Sequence, residues 1–227
     1  MSRYKTILFD ADGTLFDFDR AETFAFEAAL KENELHCSGE ILREYKRINA
    51  SLWELLEQGG ITQKQIRLQR FEMLHERFGY RGNPADTADS FIKFLSRGVF
   101  FLDGAVGILK YLHGKYPLYL VTNGITPVQK SRYALSGIDK FFETMFISEE
   151  LGVSKPDVRY FDIVFDKIGF IDKAETLIIG DSLTSDIRGG NNAGIDTCWY
   201  NPEGKTNDTV AVCTYEIAHL NKLKKIL

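Results

Sequence analysis

The residues with the most chemistry in this sequence are aspartates placed where apolar runs end. Asp10 closes the run Thr6-Ile7-Leu8-Phe9, and Asp12 stands two residues further on, just before Gly13. Two carboxylates that converge on one spot without lying side by side suit a division of labour. One can attack phosphorus while the other protonates the leaving oxygen and later takes a proton from water. A calcium loop or a plain turn is the bland alternative, but an EF-hand needs further oxygen ligands and a distal glutamate that Thr14-Leu15-Phe16 does not begin to supply. Thr122-Asn123-Gly124 follows the run Leu118–Val121, so a hydroxyl and backbone N–H groups stand at a strand end facing a helix start. They suit a phosphate oxygen, or merely the turn into a helix capped by Thr126 and started by Pro127. Lys155 precedes Pro156, as a counter-ion to phosphate or as a surface charge. Asp181 follows the run Leu177-Ile178-Ile179 and Gly180, and Asp186 comes five residues later, where Ser185 or Asp186 would also serve as a helix N-cap. Four carboxylates aimed at one pocket cannot all stay ionised without a cation. Oxygen-only ligands that leave room for water favour Mg²⁺.

Elements of two textures must position these groups. Thr6–Phe9 is a continuous apolar run, the pattern of a strand buried in a parallel sheet. From about residue 20 to 94 the pattern becomes helical, with Tyr45, Ile48, Leu52 and Leu55-Leu56 on one face. Within it Glu57–Ile61 reads as a break, and Thr62-Gln63-Lys64-Gln65 as a capping box opening a helix that Gly79 ends; Ile66, Phe71, Leu74 and Phe78 form its apolar face. After Gly104, helix and strand alternate: a helix over Ala105–Leu112, a strand over Leu118–Val121, a helix from Thr126, a strand over Met145–Ile147, and a helix over Pro156–Ile168. A strand over Thr176–Ile179, a helix over Ser185–Ala193 and a strand over Thr197–Tyr200 follow. This predicts an α/β fold, a doubly wound, Rossmann-like parallel sheet from residues 1–19 and 95–227, with an inserted α-helical domain over residues 20–94. Ligands of such sheets bind beyond the carboxyl ends of the strands, where the polar and glycine residues of this sequence cluster.

Composition narrows the classes. The 227 residues are 26% charged and 44% hydrophobic with five prolines, ordinary for a globular protein. A net charge of −4 without a basic stripe argues against a nucleic-acid polymer as partner. Lys222, Lys224 and Lys225 read as the solvated face of an amphipathic C-terminal helix. Cys37, Cys198 and Cys213 are odd in number and far apart, with no zinc or redox pairing, which fits a reducing cytoplasm. The chain enters its first strand-like run too early for a signal peptide, and no apolar stretch is long enough for a membrane span. His36, His75, His113 and His219 lie away from every motif, which leaves a histidine triad or metal site without support.

In this order and at strand ends, the four pieces resemble the four signature motifs of the haloacid dehalogenase-like hydrolase superfamily. The resemblance implies that Asp10 is the nucleophile, forming an aspartyl-phosphate, and that Asp12 is the general acid and base. It implies that Thr122 and the Asn123 backbone bind the phosphoryl oxygens, with Lys155 neutralising Asp10 and phosphate. Asp181 would bind Mg²⁺ together with the Asp10 carboxylate and the Asp12 main-chain carbonyl, while Asp186 orients metal-bound water or Lys155. Dehalogenases of this family lack the second aspartate, so Asp12 favours phosphoryl transfer.

Nearly the full chain is also similar to a bacterial subgroup of pyrimidine 5′-nucleotidases with a helical cap that dephosphorylate nucleoside monophosphates, noncanonical ones included. The segments that carry this are Phe16-Asp17-Phe18-Asp19, Tyr45–Asn49 with Leu52-Trp53, Gly60-Ile61-Thr62, Arg70-Phe71, Ile147–Glu150, Ile187–Gly190 and Thr197–Pro202. Some members of the subgroup carry an acidic or other residue in place of Gly13. In the cap, Phe18, Asn49, Trp53 and Arg70 are candidates for contacting a nucleoside, since an aromatic face stacks on a base and an amide or guanidinium reaches its edge. Core packing, or pairing of Arg70 with an acid between helices, is the competing explanation. The expectation is a cytoplasmic, Mg²⁺-dependent nucleoside 5′-monophosphatase preferring pyrimidines, with no membrane and no obligate protein partner. The alternatives are a sugar-phosphate or phosphoglycolate phosphatase, a phosphosugar mutase, and a silent phosphate or nucleotide sensor.

Overall fold

Six short runs, five of them continuously apolar or nearly so, form one sheet in the computed structural model, which describes residues 3–169 and 171–227; Met1, Ser2 and Phe170 lie outside it. The strands are β1 (Thr6–Phe9), β2 (Leu118–Thr122), β3 (Thr144–Ile147), β4 (Thr176–Gly180), β5 (Asp196–Tyr200) and β6 (Tyr215–Ile217). All neighbours pair in parallel, in the order β3-β2-β1-β4-β5-β6. Phe9 lies level with Leu120 on one side and Ile179 on the other, so three strand ends finish together. The chain winds from β1 to β3 in one direction and then crosses back to β4, which puts the switch point beside β1.

The helices are α1 (Phe18–Glu32), α2 (Gly39–Glu57), α3 (Gln63–Phe78), α4 (Pro84–Leu95), α5 (Ala105–Leu112), α6 (Thr126–Ser136), α7 (Ser148–Leu151), α8 (Val158–Ile168) and α9 (Arg188–Ala193). The chain divides into two compact units. One takes the chain up to Asp17, then Phe100–Thr126 and everything from Ser136; the other takes Phe18–Val99 and Pro127–Leu135. In the sheet unit, Leu8, Val121 and Ile178 pack against Tyr160, Phe161, Val164 and Phe165 of α8. This parallel sheet with helices is the α/β fold expected.

The helical unit has a core of its own. Tyr45 of α2 stacks on Phe26 of α1 at 4.3 Å between centroids and on Phe71 of α3 at 5.6 Å, and Phe91 of α4 lies 5.4 Å from Phe71. Such pairs add roughly 0.5–1.5 kcal/mol each beyond their buried area. Thr62 and Gln65 form the expected capping box at the start of α3, and Gly79 ends that helix at φ +62°, where a side chain would be strained. Ser131 and Arg132 of α6 tie their stretch to this unit by donating to the carbonyls of Ser96 and Gly98.

Several local expectations need correction. α8 starts at Val158 with Asp157 as its cap, so Pro156 lies ahead of the helix, after a cis Lys155–Pro156 peptide bond. Ser182, not Ser185 or Asp186, caps the turn after β4, because the Asp186 carboxylate is taken by Lys155. Between them, Leu183–Ile187 form a wide helical turn and α9 begins only at Arg188. Leu220–Lys225 is a tight 3₁₀ segment that buries Leu220 and Leu223. β6 was not anticipated, since three residues are too few to show a strand period. Among the described residues, no helix is long and apolar enough to cross a membrane.

Candidate active site

Three strand ends bring the sequence-predicted residues of the sheet unit together. β1 delivers Asp10, 7% exposed, β2 delivers Thr122 in its last position, and β4 delivers Asp181 just past Gly180. Lys155 is 1% exposed, and each of its three N–H donors has an acceptor: Asp10 Oδ1 at 2.7 Å, Asp186 Oδ1 at 2.6 Å and the Val121 carbonyl at 2.9 Å. Those donors are the whole inventory of an ammonium, so Lys155 is fixed in place with its hydrogen bonds saturated. A surface-charge role for Lys155 is therefore excluded by its burial.

Neighbouring groups hold this arrangement. The Asn123 side chain clamps the Lys155 backbone, donating to its carbonyl at 2.9 Å and accepting from its N–H at 3.0 Å. Thr122 Oγ1 accepts from the Gly124 N–H at 3.0 Å, a tight turn that keeps the hydroxyl at the strand end. Asp186 also accepts from the Ser182 N–H through its second oxygen. Two glycines are sterically required. A Cβ at Gly180 would stand 2.3 Å from the Asp186 carboxyl, and one at Gly13, which has φ +85°, would stand 2.4 Å from an Asp181 oxygen. Thr14 and Trp199 were missed by sequence reasoning: Thr14 Oγ1 donates to Asp181 Oδ1 at 3.1 Å, and the Trp199 indole donates to the Asp181 carbonyl at 2.9 Å. Thr14 had a visible signal, its place right after Asp12-Gly13; Trp199 had none, because only β4–β5 pairing brings it alongside.

Electrostatics show what the cluster is suited to hold. Burial, with the Asp186 charge adding to it, pushes the Asp10 carboxyl well above the usual range, against the pull of Lys155. The same two causes raise Asp181 to about 7. Burial alone would lower Lys155, but Asp10 and Asp186 more than offset it and raise it, so it stays an ammonium. One ammonium thus faces three buried or half-buried carboxylates. Asp10, Asp181 and Asp186 each offer an oxygen, all within 4.8 Å of one another. A set of hard oxygen donors with surplus negative charge fits a small divalent cation.

The remaining candidates belong to the helical unit. Phe18 is the first residue of α1 and half-buried, as is Trp53 on α2. Asn49 and Arg70 are buried at 5% and 1% exposure, Arg70 Nη1 donating to Asn49 Oδ1 at 3.2 Å. The acid paired with them is Glu22 of α1, which sequence reasoning did not single out.

The model of the haloacid dehalogenase-like hydrolase family matches residues 4–194, which include Asp10, Thr122, Lys155, Asp181 and Asp186. The chain belongs to that family. It is 40% identical over its full length to the HAD-hydrolase YfnB of Bacillus subtilis, covering 97% of that protein. It is 41% identical to the pyrimidine 5′-nucleotidase PynA of Streptococcus pneumoniae over 94% of this chain and 91% of PynA. It is 32% identical to the pyrimidine 5′-nucleotidase YjjG of Escherichia coli over 99% and 98%. A crystal structure of YfnB bound to magnesium superposes with a TM-score of 0.93 over 99% of both chains. Family membership agrees with the four-motif reading of the sequence.

Proposed function

We propose that this hydrolase is a Mg²⁺-dependent phosphomonoesterase acting on nucleoside 5′-monophosphates, with a preference for pyrimidines. The observation that carries the chemistry is the ammonium of Lys155 bridging Asp10 and Asp186 beside Asp181, with a second carboxylate two residues beyond Asp10. The substrate class rests on the two pyrimidine 5′-nucleotidases that share more than 30% of the sequence over nearly the full length. The three free cysteines fit a cytoplasmic setting.

In the first step an Asp10 carboxylate oxygen bonds to phosphorus as the ester P–O bond breaks, and Asp12 gives its proton to the departing nucleoside oxygen. In the second, Asp12 takes a proton from water, whose oxygen bonds to phosphorus; the acyl phosphate bond breaks, Asp10 is restored and inorganic phosphate leaves. Lys155 keeps Asp10 oriented and, with the Thr122 hydroxyl and the N–H groups after β2, offers positive charge to the phosphoryl oxygens. Asp10, Asp181 and the Asp12 main-chain carbonyl would hold Mg²⁺, with Asp186 behind them, and the ion supplies the charge that lets a carboxylate approach a dianion. Asp10 works as a nucleophile only when ionised, and its raised proton affinity is the reason such a cation is needed.

Phosphate release from a panel of phosphorylated metabolites with Mg²⁺ tests this. Nucleoside 5′-monophosphates are expected to lead, pyrimidines ahead of purines. Asp10→Asn should fall to background and Asp12→Asn by roughly 10²–10⁴-fold. No release from any phosphomonoester would defeat the phosphatase reading, while turnover of sugar phosphates alone would defeat only the substrate class.

A further inference from the structure

The segment Thr122–Thr126 leaves β2 carrying the hydroxyl and the backbone N–H groups assigned above to the phosphoryl oxygens, and contacts at three points pin it within the sheet unit. At its start, Thr122 pairs with Ile147 of β3, and its Oγ1 accepts from the Gly124 N–H at 3.0 Å. In its middle, the Asn123 side chain holds the Lys155 backbone. At its end, the Thr126 N–H donates to Glu149 Oε2 at 2.8 Å. Glu149 stands on α7, two residues beyond the β3 residue that pairs with Thr122, so β3 carries it to the far end of the same segment.

This last contact has no local substitute. Thr126 is the first residue of α6, where backbone N–H groups lack partners inside the helix. Ile125 ahead of it is buried and apolar, with no side-chain oxygen to cap with. The Thr126 hydroxyl, the cap that the sequence offers, keeps its Oγ1 buried and without a hydrogen-bond partner among the described residues. A carboxylate 23 residues further along the chain therefore does what the start of α6 does not do for itself. Hydrogen bonds to a charged acceptor are about twice as strong as neutral ones. Thr126 is also the last residue of its stretch in the sheet unit, Pro127–Leu135 belonging to the helical unit. Glu149 thus ends the segment inside the sheet unit, before the chain passes to a unit whose own contacts, Ser131 and Arg132 donating to the Ser96 and Gly98 carbonyls, hold the rest of α6.

We propose that Glu149 is a positioning residue for phosphate binding: by accepting from the Thr126 N–H it holds the Thr122–Thr126 segment in the shape that meets the phosphoryl group. This rests on the phosphatase reading above and adds a residue that reading does not use.

The test measures KM for p-nitrophenyl phosphate, an aryl ester with no nucleoside, and the inhibition constant of inorganic phosphate, both with Mg²⁺. In Glu149→Ala both are expected to rise together by roughly 10-fold, with kcat falling by a smaller factor. Glu149→Gln keeps an oxygen that can accept from the Thr126 N–H and should show a smaller rise. Both constants unmoved in Glu149→Ala, with or without a lowered melting temperature, would make Glu149 a helix cap alone and overturn the proposal. An equal rise in Glu149→Gln and Glu149→Ala overturns it too, because the negative charge and not the hydrogen bond would then be what matters. If Glu149→Ala fails to fold, Glu149→Asp takes its place, since it keeps the charge but falls one methylene short of Thr126: raised constants support the proposal and unmoved ones overturn it. Failure of the parent reading is distinct, since wild type would then hydrolyse no phosphomonoester at all.

Discussion

Lys155 shows how much one side chain organises here. Its burial is tolerable only because Asp10, Asp186 and a backbone carbonyl use every donor it has. Removing it would leave two carboxylates buried against each other, which in comparable cases costs about 3–5 kcal/mol. Lys155→Met is therefore expected to lower stability by that order and to abolish phosphate release; urea unfolding and an activity assay check both. Unchanged stability would show that the aspartates find another partner. Gly180 and Gly13 belong to the same scale, since each leaves space that a carboxyl occupies, and no side chain could stand there without moving Asp186 or Asp181. A sequence shows such glycines only as turns, because the atom that forbids a Cβ comes from a distant segment.

At the scale of the element, the helical unit joins local signals to one tertiary conflict. Ser38 and the Thr62–Gln65 box start α2 and α3, and Gly79 stops α3, all by hydrogen bonds within a few residues. Glu22, in contrast, is defined by side chains from other helices, Asn49 of α2 donating to it and the Arg70 charge of α3 acting on it. Burial raises its folded-state value to about 7, against the pull of Arg70 and Lys46 and with Asp19 adding to the rise. A carboxyl raised on folding contributes stability that is fully present below its unfolded value and is lost as pH rises through the folded value. Wild type should therefore lose up to about 3 kcal/mol between pH 4.5 and 7 relative to Glu22→Gln, which keeps the oxygen that accepts from Asn49. Unfolding free energies of both proteins at pH 5 and 8 measure the difference; parallel pH profiles would count against a buried, proton-accepting Glu22.

At the scale of the whole molecule, the switch point of the sheet decides where chemistry can occur. β1 sits between β2 and β4, so Asp10 ends beside two segments that carry Thr122 and Asp181, each more than 100 residues further along the chain. A cation bound by these folded-state carboxylates must stabilise the fold. Chelation should abolish phosphate release and lower the melting temperature, and Mg²⁺ at about 100 times its dissociation constant should restore roughly 2.7 kcal/mol. Melting scans with chelator and with added Mg²⁺ test this, and identical curves would contradict a metal held by Asp10 and Asp181.

The sequence by itself determined the parallel sheet, because buried strands must be apolar throughout, and it placed Asp10, Thr122 and Asp181 at strand ends, because each stands within two residues of the end of such a run, while Asp12, Lys155 and Asp186 were legible only from their place in the four-motif order. It also determined the caps of α3, whose hydrogen bonds are local. Tertiary structure alone decided the rest: that Lys155 is buried with saturated donors, that Thr14 and Trp199 hold Asp181, that Ser182 is the cap after β4, and that Glu22 is the acid linked through Asn49 to Arg70. Each of these depends on contact between segments far apart in the chain, and neither period nor composition records which distant residue will be the neighbour.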